Sequence, residues 1–228
     1  MAQIYIAGIH TDTGKTHFSA LFCKAFSYGY FKLIQAGEIE DRDFIRRFVP
    51  ECEVFDNGIS LRTAASPHIA KLLEQRDYKA EQIFIPNAQN LAIELAGGLF
   101  TPLDDKQCSL EYLYQNPKPC ILVGRYYLGC INHILLSAHA LKAHNIPLLC
   151  VAMMADSHGD KGDELERHRS GEKCSDDYID EFLQGHSLLQ GVPLVRTHFF
   201  TQDSFASVAQ NLAINLALLR ALQGLKSS

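Results

Sequence analysis

The sequence predicts an α/β fold, in which a mainly parallel β-sheet carries helices on both faces. Short segments that are apolar almost throughout alternate with longer segments of helical period along the 228 residues. Parallel strands that are buried on both faces have this apolar character. The alternation favours βαβ units with right-handed crossovers. We therefore expect residues 1–228 to form a single domain, with its ligand site at the carboxyl ends of the strands.

The predicted elements follow one another in regular order. Apolar runs predict strands at 4–7, 31–35, 91–95, 121–124, 147–154 and 194–199. Helical periodicity predicts helices at 15–26, 43–48, 67–74, 132–144, 176–183 and 204–222. Ser66 and Pro67 suit the start of the third helix, with serine as N-cap and proline at the first helical position. The polar, charge-rich segment 156–177 predicts a long exposed loop.

Composition and charge exclude several classes of protein. The formal net charge is −5, so there is no basic excess to neutralise a nucleic-acid backbone. The first residues lack the basic start and apolar core of a signal peptide, and no apolar stretch approaches the roughly 20 residues that span a bilayer. The seven cysteines are scattered, without zinc-type spacing. We expect a cytoplasmic protein with reduced thiols, and neither nucleic acid nor membrane as partner.

The segment 8–16 has the context of a phosphate-binding loop. It follows an apolar strand and opens a predicted helix, where glycines allow a tight turn and backbone N–H groups can face phosphate oxygens. The helix N-terminus adds unpaired amides and the positive end of its dipole. Lys15 can reach the β and γ phosphates, and Thr16 offers a hydroxyl to Mg²⁺. The predicted nucleotide contacts here are Asp12, Thr13, Gly14, Lys15, Thr16 and His17.

Two charged residues in predicted strands extend this site. Glu94 lies near the end of an apolar strand, where a buried carboxylate is costly without a cation, and its location predicts Mg²⁺ as that cation. The glycines that follow let the backbone approach phosphates. The nucleotide contacts predicted here are Glu94, Leu95, Ala96 and Gly97. Lys32 lies in a predicted buried strand and needs an anionic partner, which a transferring phosphate would supply.

These segments resemble the dethiobiotin synthetase family. In the phosphate loop Thr11, Gly14, Lys15 and Thr16 match the family pattern, whereas Ile9 and His10 replace its Thr-Asp. The segment 94–102 resembles the family's Glu-Gly-Ala-Gly-Gly-x-x-x-Pro, and 128–133 its Leu-Gly-x-x-Asn-His. Lys32 and the Ser-Pro-His at 66–68 match as well, so the resemblance runs from residue 4 to about 140.

The resemblance implies ATP-driven closure of the ureido ring of dethiobiotin. The implied substrates are 7,8-diaminopelargonate and CO₂, which react through a carbamate and a carbamic-phosphoric anhydride. By the same resemblance Lys15 and Lys32 are catalytic, and Mg²⁺ is held by Thr16, Asp43 and Glu94. Asp43 is preferred to Asp41 because it opens the predicted helix.

The substrate contacts and the oligomeric state are also implied by the resemblance. The residues expected to bind the diamine are Thr11, Lys32, Ala36, Gly129, Cys130, Ile131 and Asn132. In the family the loop that contains Gly129 binds the substrate carboxylate across a dimer interface. This implies a homodimer whose active sites lie at the interface.

The chain departs from the family where the base is read. Met153, Met154 and Ala155 occupy the place of an asparagine that recognises adenine, and methionine cannot make that paired hydrogen bond. Three residues, Val192, Pro193 and Leu194, resemble a later family loop that touches the base through its backbone. We therefore expect ATP to serve as co-substrate together with other nucleoside triphosphates such as GTP.

Two other classes share this kind of phosphate loop. Partitioning and septum-positioning ATPases usually carry a lysine beside the first glycine, where this chain has Ile9. They also use an amphipathic basic tail, whereas 211–226 is mostly apolar. Amide-forming ligases of the cobyrinate or CTP synthase type act with a glutaminase domain, for which this chain has no room. Both are therefore weaker interpretations than the ring-closing ligase.

Overall fold

The computed structural model describes residues 2–156 and 173–215, together with Leu218 and Gly224. The strands in chain order are β1 Gln3–Gly8, β2 Gly29–Lys32, β3 Ile34–Ala36, β4 Ile59–Leu61, β5 Leu91–Gly98, β6 Cys120–Arg125, β7 Leu148–Ala155 and β8 Leu194–His198. Six of them form one sheet in the order β2-β5-β1-β6-β7-β8, and β3 pairs with β4 separately. Every one of these pairings is parallel, which confirms the predicted type of sheet.

The helices connect these strands. In chain order they are α1 Lys15–Phe26, α2 Asp41–Phe48, α3 Pro67–Leu73, α4 Ser109–Gln115, α5 Cys130–Ala143, α6 Ser175–Gly185 and α7 Phe205–Ala213. Proline at the start of α3 confirms the helix start predicted there. In the part of the chain that the structure describes, no helix has the length and apolar character to span a membrane.

Two apolar cores lie on opposite faces of the main sheet. Along β1, Ile4 and Ile6 belong to one core, whereas Tyr5 and Ala7 belong to the other, because successive side chains of a strand point to opposite faces. The first core also takes residues from α1, α2 and α7. The second takes residues from α3, α4, α5 and α6. The predicted arrangement, with helices on both faces, is confirmed.

The structure divides the strand predicted at 31–35. β2 ends at Lys32, and the N–H of Leu33 donates to the carbonyl of Glu94 at 2.9 Å. The chain then leaves the main sheet, and β3 pairs with β4, a strand that the sequence did not predict. The prediction was wrong here because one apolar run can supply two short strands, and apolarity does not show where the chain changes partners.

Some boundaries also differ from the sequence prediction. α2 begins at Asp41 rather than at 43, and α5 begins at Cys130 rather than at 132. The helix α4 was missed, since seven residues carry little periodicity. α6 begins at Ser175, inside the predicted loop 156–177, of which 157–172 lie outside the described residues. α7 ends at Ala213, and most of the rest of the helix predicted at 204–222 is likewise outside them.

Arg196 joins α6 to the sheet. This residue of β8 pairs with Asp177 at 2.9 Å and with Asp180 at 2.7 Å, both on α6. Its Nε also donates to the hydroxyl of Tyr126 at 3.0 Å, just after β6. The network therefore links α6 to two strands of the sheet.

Candidate functional site

A cavity of about 1180 Å³ lies beside the start of α1, at the carboxyl ends of the sheet strands. It contains most of the residues that the sequence assigned to nucleotide and substrate. The assigned residues that line it are Thr11, Asp12, Gly14, Lys15, Thr16, His17, Lys32, Ala36, Glu94, Ala96 and Gly97. These residues come from three separate parts of the chain, 11–17, 32–36 and 94–97.

The phosphate loop has a backbone conformation at Gly14 that favours glycine. Gly14 is the N-cap of α1 and has a φ of 87°, in the left-handed region. A Cβ at Gly14 would lie 2.8 Å from the ring of Phe199. The ammonium of Lys15 donates to the carbonyl of His10 at 3.1 Å, across the loop. The backbone of the loop therefore curves around the ammonium group of Lys15.

Glu94 is the centre of the site's polar network. It is 0% exposed, and each of its carboxylate oxygens accepts two hydrogen bonds. Thr16 and Lys32 donate to Oε1 at 2.9 and 2.7 Å. Ser19 and Tyr30 donate to Oε2 at 2.7 and 3.1 Å. These four contacts satisfy the hydrogen-bonding capacity of a carboxyl group that is buried inside the core.

Lys32 joins two carboxylates. Its ammonium lies 2.7 Å from Glu94 and 2.5 Å from Asp41. Burial lowers the pKa of Lys32, but the two carboxylates outweigh burial and the pKa is raised overall. Burial likewise raises the pKa of Asp41, and the neighbouring ammonium of Lys32 reverses that effect, so the pKa is lowered. The sequence predicted that a buried Lys32 needs an anionic partner. Glu94 and Asp41 supply that partner within the protein itself.

Lys15 differs from Lys32 in its surroundings. Burial lowers the pKa of Lys15 to about 8, and the charge of Lys32 adds to the effect. A polyphosphate in the cavity would offset both effects on the pKa of Lys15, because it brings negative charge to the ammonium.

The structure places Asp41, and not Asp43, in the cavity. Asp43 is 68% exposed and pairs with Arg46 on the outer side of α2. α2 begins two residues earlier than predicted, and the N–H of Asp41 donates to the side chain of Gln35 at 3.2 Å. The choice of Asp43 depended on the predicted helix start, so the error in that boundary carried over to the carboxylate.

The donor set at this position suits Mg²⁺. Among the described residues there is no group of three or more His, Cys, Asp or Glu side chains that could hold a metal ion. Mg²⁺, however, is usually bound by one or two carboxylates together with substrate phosphates and water. Thr16, Asp41 and Glu94 provide two carboxylates and one hydroxyl around the same ammonium. The chemistry of these oxygens therefore fits the group that the sequence predicts.

Several assigned residues do not line the cavity. Thr13 and Leu95 are buried behind its wall, although the carbonyl of Leu95 accepts from Lys32 at 3.4 Å. Val192, Pro193 and Leu194 lie at the amino end of β8, where the carbonyl of Pro193 accepts from Val151. The carboxyl ends of parallel strands share one edge of the sheet, so the structure places these three residues at the opposite edge from the phosphate loop.

The residues of the loop before α5 lie outside the cavity as well. Gly129 has a φ of 100° and is the N-cap of α5, and Cys130 is buried beneath it. Ile131 is partly buried and Asn132 is exposed. The neighbouring Leu128 is fully exposed. None of these residues of the loop lines the cavity of its own subunit.

The structure adds cavity residues that the sequence did not assign. Phe199 follows β8 and Arg125 ends β6, and both side chains line the wall near Gly14. Gln35 and Ser137 do so as well. The carboxyl-end rule could have selected Phe199 and Arg125, since each lies at or just after the end of a predicted strand. Ser137 lies in the middle of a helix, and no pattern in the sequence marks it.

Similarity to known proteins agrees with this geometry. A family model described as an AAA domain matches residues 2–175. The ATP-dependent dethiobiotin synthetase BioD of Campylobacter jejuni is 47% identical over 202 residues, which cover 89% of this chain and 90% of the relative. The protein of that name from Lawsonia intracellularis is 35% identical over 72% of this chain and 81% of its own.

Similarity to solved structures concerns the fold. A structure of pNOB8 ParA bound to nonspecific DNA superimposes with a TM-score of 0.51 at 10% identity, over 98% of this chain and 99% of that one. This shows a P-loop NTPase fold and no more. Together with the cavity around Lys15 and Glu94, the sequence relatives show that this chain belongs to the ATP-dependent dethiobiotin synthetase family.

Proposed function

We propose that this protein closes the ureido ring of dethiobiotin from 7,8-diaminopelargonate, CO₂ and ATP. The observation that carries the proposal is the position of Lys32, which joins Glu94 and Asp41 beside the phosphate loop inside one cavity. A cation held between two carboxylates at that place suits a reaction in which a phosphate and a carbamate meet. Family membership supports the same substrates.

The residues of the cavity have different roles in the proposed reaction. One amine of the substrate captures CO₂ as a carbamate, whose oxygen attacks the γ-phosphate of ATP, displaces ADP and gives a carbamic-phosphoric anhydride. The second amine then closes the ring and releases phosphate. Lys15 and the amides at the start of α1 bind the phosphates, and Lys32 offsets the charge that develops on the transferring group. Thr16, Asp41 and Glu94 would hold Mg²⁺, which when bound supplies further positive charge to the phosphates.

The binding of the diamine requires a second copy of the chain in this proposal. Thr11, Lys32 and Ala36 line the cavity and would face the amines. The residues 129–132 lie outside that cavity and would bind the carboxylate tail of a substrate held by the partner. Exposed Leu128 and Leu136 provide apolar surface beside this loop, which supports a homodimer interface there.

We also propose that the base is recognised loosely. Met153 and Met154 are both fully buried and offer no donor-acceptor pair to adenine. ATP then serves as co-substrate, and GTP is accepted as well. Turnover measured with ATP, GTP and CTP checks this point, and a hundredfold preference for ATP would contradict it.

We place the enzyme in the cytoplasm, as the sequence predicts. The seven cysteines are all free thiols in the structure, and five of them are buried. Free, dispersed thiols are typical of reducing compartments, which supports this location.

A mass-spectrometric assay tests the activity. Purified protein is incubated with 7,8-diaminopelargonate, bicarbonate, Mg²⁺ and ATP, and dethiobiotin is measured with each component omitted in turn. We expect product only when diamine and nucleotide are both present. Hydrolysis of ATP without dethiobiotin would reject the proposal and favour a nucleotide-switch ATPase on the same fold.

A further inference from the structure

Arg125 lies where the wall of the cavity meets the end of β6. Its register partner on β7 is Met154, and Phe199 follows β8. The side chains of Arg125 and Phe199 both line the cavity, together with Gly14 and His17. This part of the wall is therefore on the side of the phosphate loop away from Lys32, which belongs to β2 at the other edge of the sheet.

The guanidinium of Arg125 is held in place by two contacts. It lies over the ring of Phe199, 5.0 Å from the ring centre. Its Nη2 also donates to Asp156 at 2.7 Å, just beyond the end of β7. The side chain remains 41% exposed, so these contacts leave part of the guanidinium open to the cavity.

Phe199 is in turn fixed against the phosphate loop. Its N–H donates to the carbonyl of Ala155 at 3.0 Å. The centre of its ring lies 5.0 Å from that of His17, in an edge-to-face arrangement. The ring also packs closely against Gly14, where an added Cβ would lie only 2.8 Å from it. In the proposed function the γ-phosphate meets Lys32, so the nucleoside would extend to the other side of the phosphate loop, where Gly14, His17 and Phe199 line the cavity.

A planar cation that rests on an aromatic ring suits a nucleobase. Guanidinium groups stack on aromatic faces, and stacking tolerates any base because every base has a π-face. Asp156 is occupied by Arg125, and Met153 and Met154 are buried, so these residues do not discriminate between base edges.

We propose that the guanidinium of Arg125, supported by Phe199 and fixed by Asp156, stacks on the base of the nucleoside triphosphate. In this arrangement Arg125 is a binding residue, and Phe199 and Asp156 are positioning residues. The inference rests on the nucleotide site of the proposed function and deepens it, since it names a group that binds the base and gives a physical reason for the proposed acceptance of both adenine and guanine.

Isothermal titration with three probes tests the inference: MgATP, MgGTP and Mg-tripolyphosphate, which has no base. The variants are Arg125→Gln and Arg125→Lys, because lysine keeps the charge but loses the planar group. Arg46→Gln is the matched control, since Arg46 also pairs with an aspartate but lies outside the cavity. Thermal unfolding of each variant shows whether it is folded.

We expect both Arg125 variants to raise the Kd of MgATP and of MgGTP about tenfold and by similar factors. The Kd of Mg-tripolyphosphate and all values for the control stay unchanged. A wild-type Kd for Arg125→Lys, or an equal loss for tripolyphosphate, would show that Arg125 binds phosphate and would overturn the inference, as would unchanged binding in Arg125→Gln. Because binding is measured without diamine, failure here is distinct from a failure to form dethiobiotin.

Discussion

At the scale of single residues, the site depends on a buried carboxylate and the cation that neutralises it. Glu94 accepts four hydrogen bonds, and one donor is the ammonium of Lys32, which also pairs with Asp41. Such an arrangement is stable only while all its members are present, because a charge left alone in the core costs several kcal/mol. Lys32 therefore links the stability of the core to the catalytic role that we propose for it.

The variant Lys32→Ala tests this link. We expect turnover to fall by about 100-fold or more, since a preorganised charge contact is lost. The free energy of unfolding should also fall by about 3–5 kcal/mol, because Glu94 loses its cation. Adding Glu94→Gln to this variant should recover part of the stability and none of the turnover. Near-normal turnover in the single variant would refute the role of Lys32.

Gly14 permits a second test at this scale. Gly14→Ala introduces a Cβ at a φ of 87° and only 2.8 Å from the ring of Phe199. Gly191→Ala is the matched control, with a φ of 79° and no atom within 4 Å of the new Cβ. We expect the control to lose about 1 kcal/mol of stability from backbone strain. Gly14→Ala should lose more and should bind MgATP more weakly, as measured by denaturant unfolding and calorimetry. Equal effects of the two substitutions would mean that the contact with Phe199 is unimportant.

At the scale of secondary-structure elements, the first turn of α2 decides which aspartate reaches the cavity. A shift of two residues along a helix rotates a side chain by about 200°, since each residue turns by about 100°. The helix starts at Asp41, whose carboxylate meets Lys32, while Asp43 points outward to Arg46.

The pair Asp41→Asn and Asp43→Asn separates the two positions. We expect Asp41→Asn to reduce turnover and to raise the Mg²⁺ concentration needed for half-maximal activity by about tenfold, because a charged oxygen ligand is lost. Asp43→Asn should remain close to the wild-type protein in both respects. The reverse pattern would restore the sequence-based choice of Asp43.

At the scale of the whole molecule, the cavity of one subunit lacks the loop that is expected to bind the substrate tail. Residues 129–132 lie outside the cavity. In the proposed function, a second copy of the chain supplies that loop and completes the substrate contacts. The proposed dimer would thus have a catalytic reason, in addition to covering the exposed side chains of Leu128 and Leu136.

Mixing two inactive variants tests the composite site. Lys32→Ala and Asn132→Ala are each expected to lose most activity as homodimers. In a mixed dimer one site carries both defects and the other carries neither, so co-expression should restore about a quarter of wild-type turnover. No recovery, with mixed dimers verified by mass spectrometry, would place the whole site within one subunit.

Much of the fold could be predicted from the sequence because it depends on local patterns. Apolar runs such as Ile121–Val123 are typical of strands in a sheet that is covered on both faces. The sequence therefore predicted these strands with boundary errors of a few residues. The separate pairing of β3 with β4 could not be predicted, because it depends on a partner 25 residues away rather than on the run itself.

The sequence by itself determined the type of sheet, the phosphate loop and the identities of Lys15, Lys32 and Glu94. It could do so because each has a local cause: a hydrophobic period, a glycine turn before a helix, or a charge inside an apolar run. Only the tertiary structure decided that Asp41 faces Lys32, and that Arg125 and Phe199 meet beside Gly14. These contacts join strands that are distant along the chain, and their geometry depends on helix rotation and strand register, which no local pattern specifies.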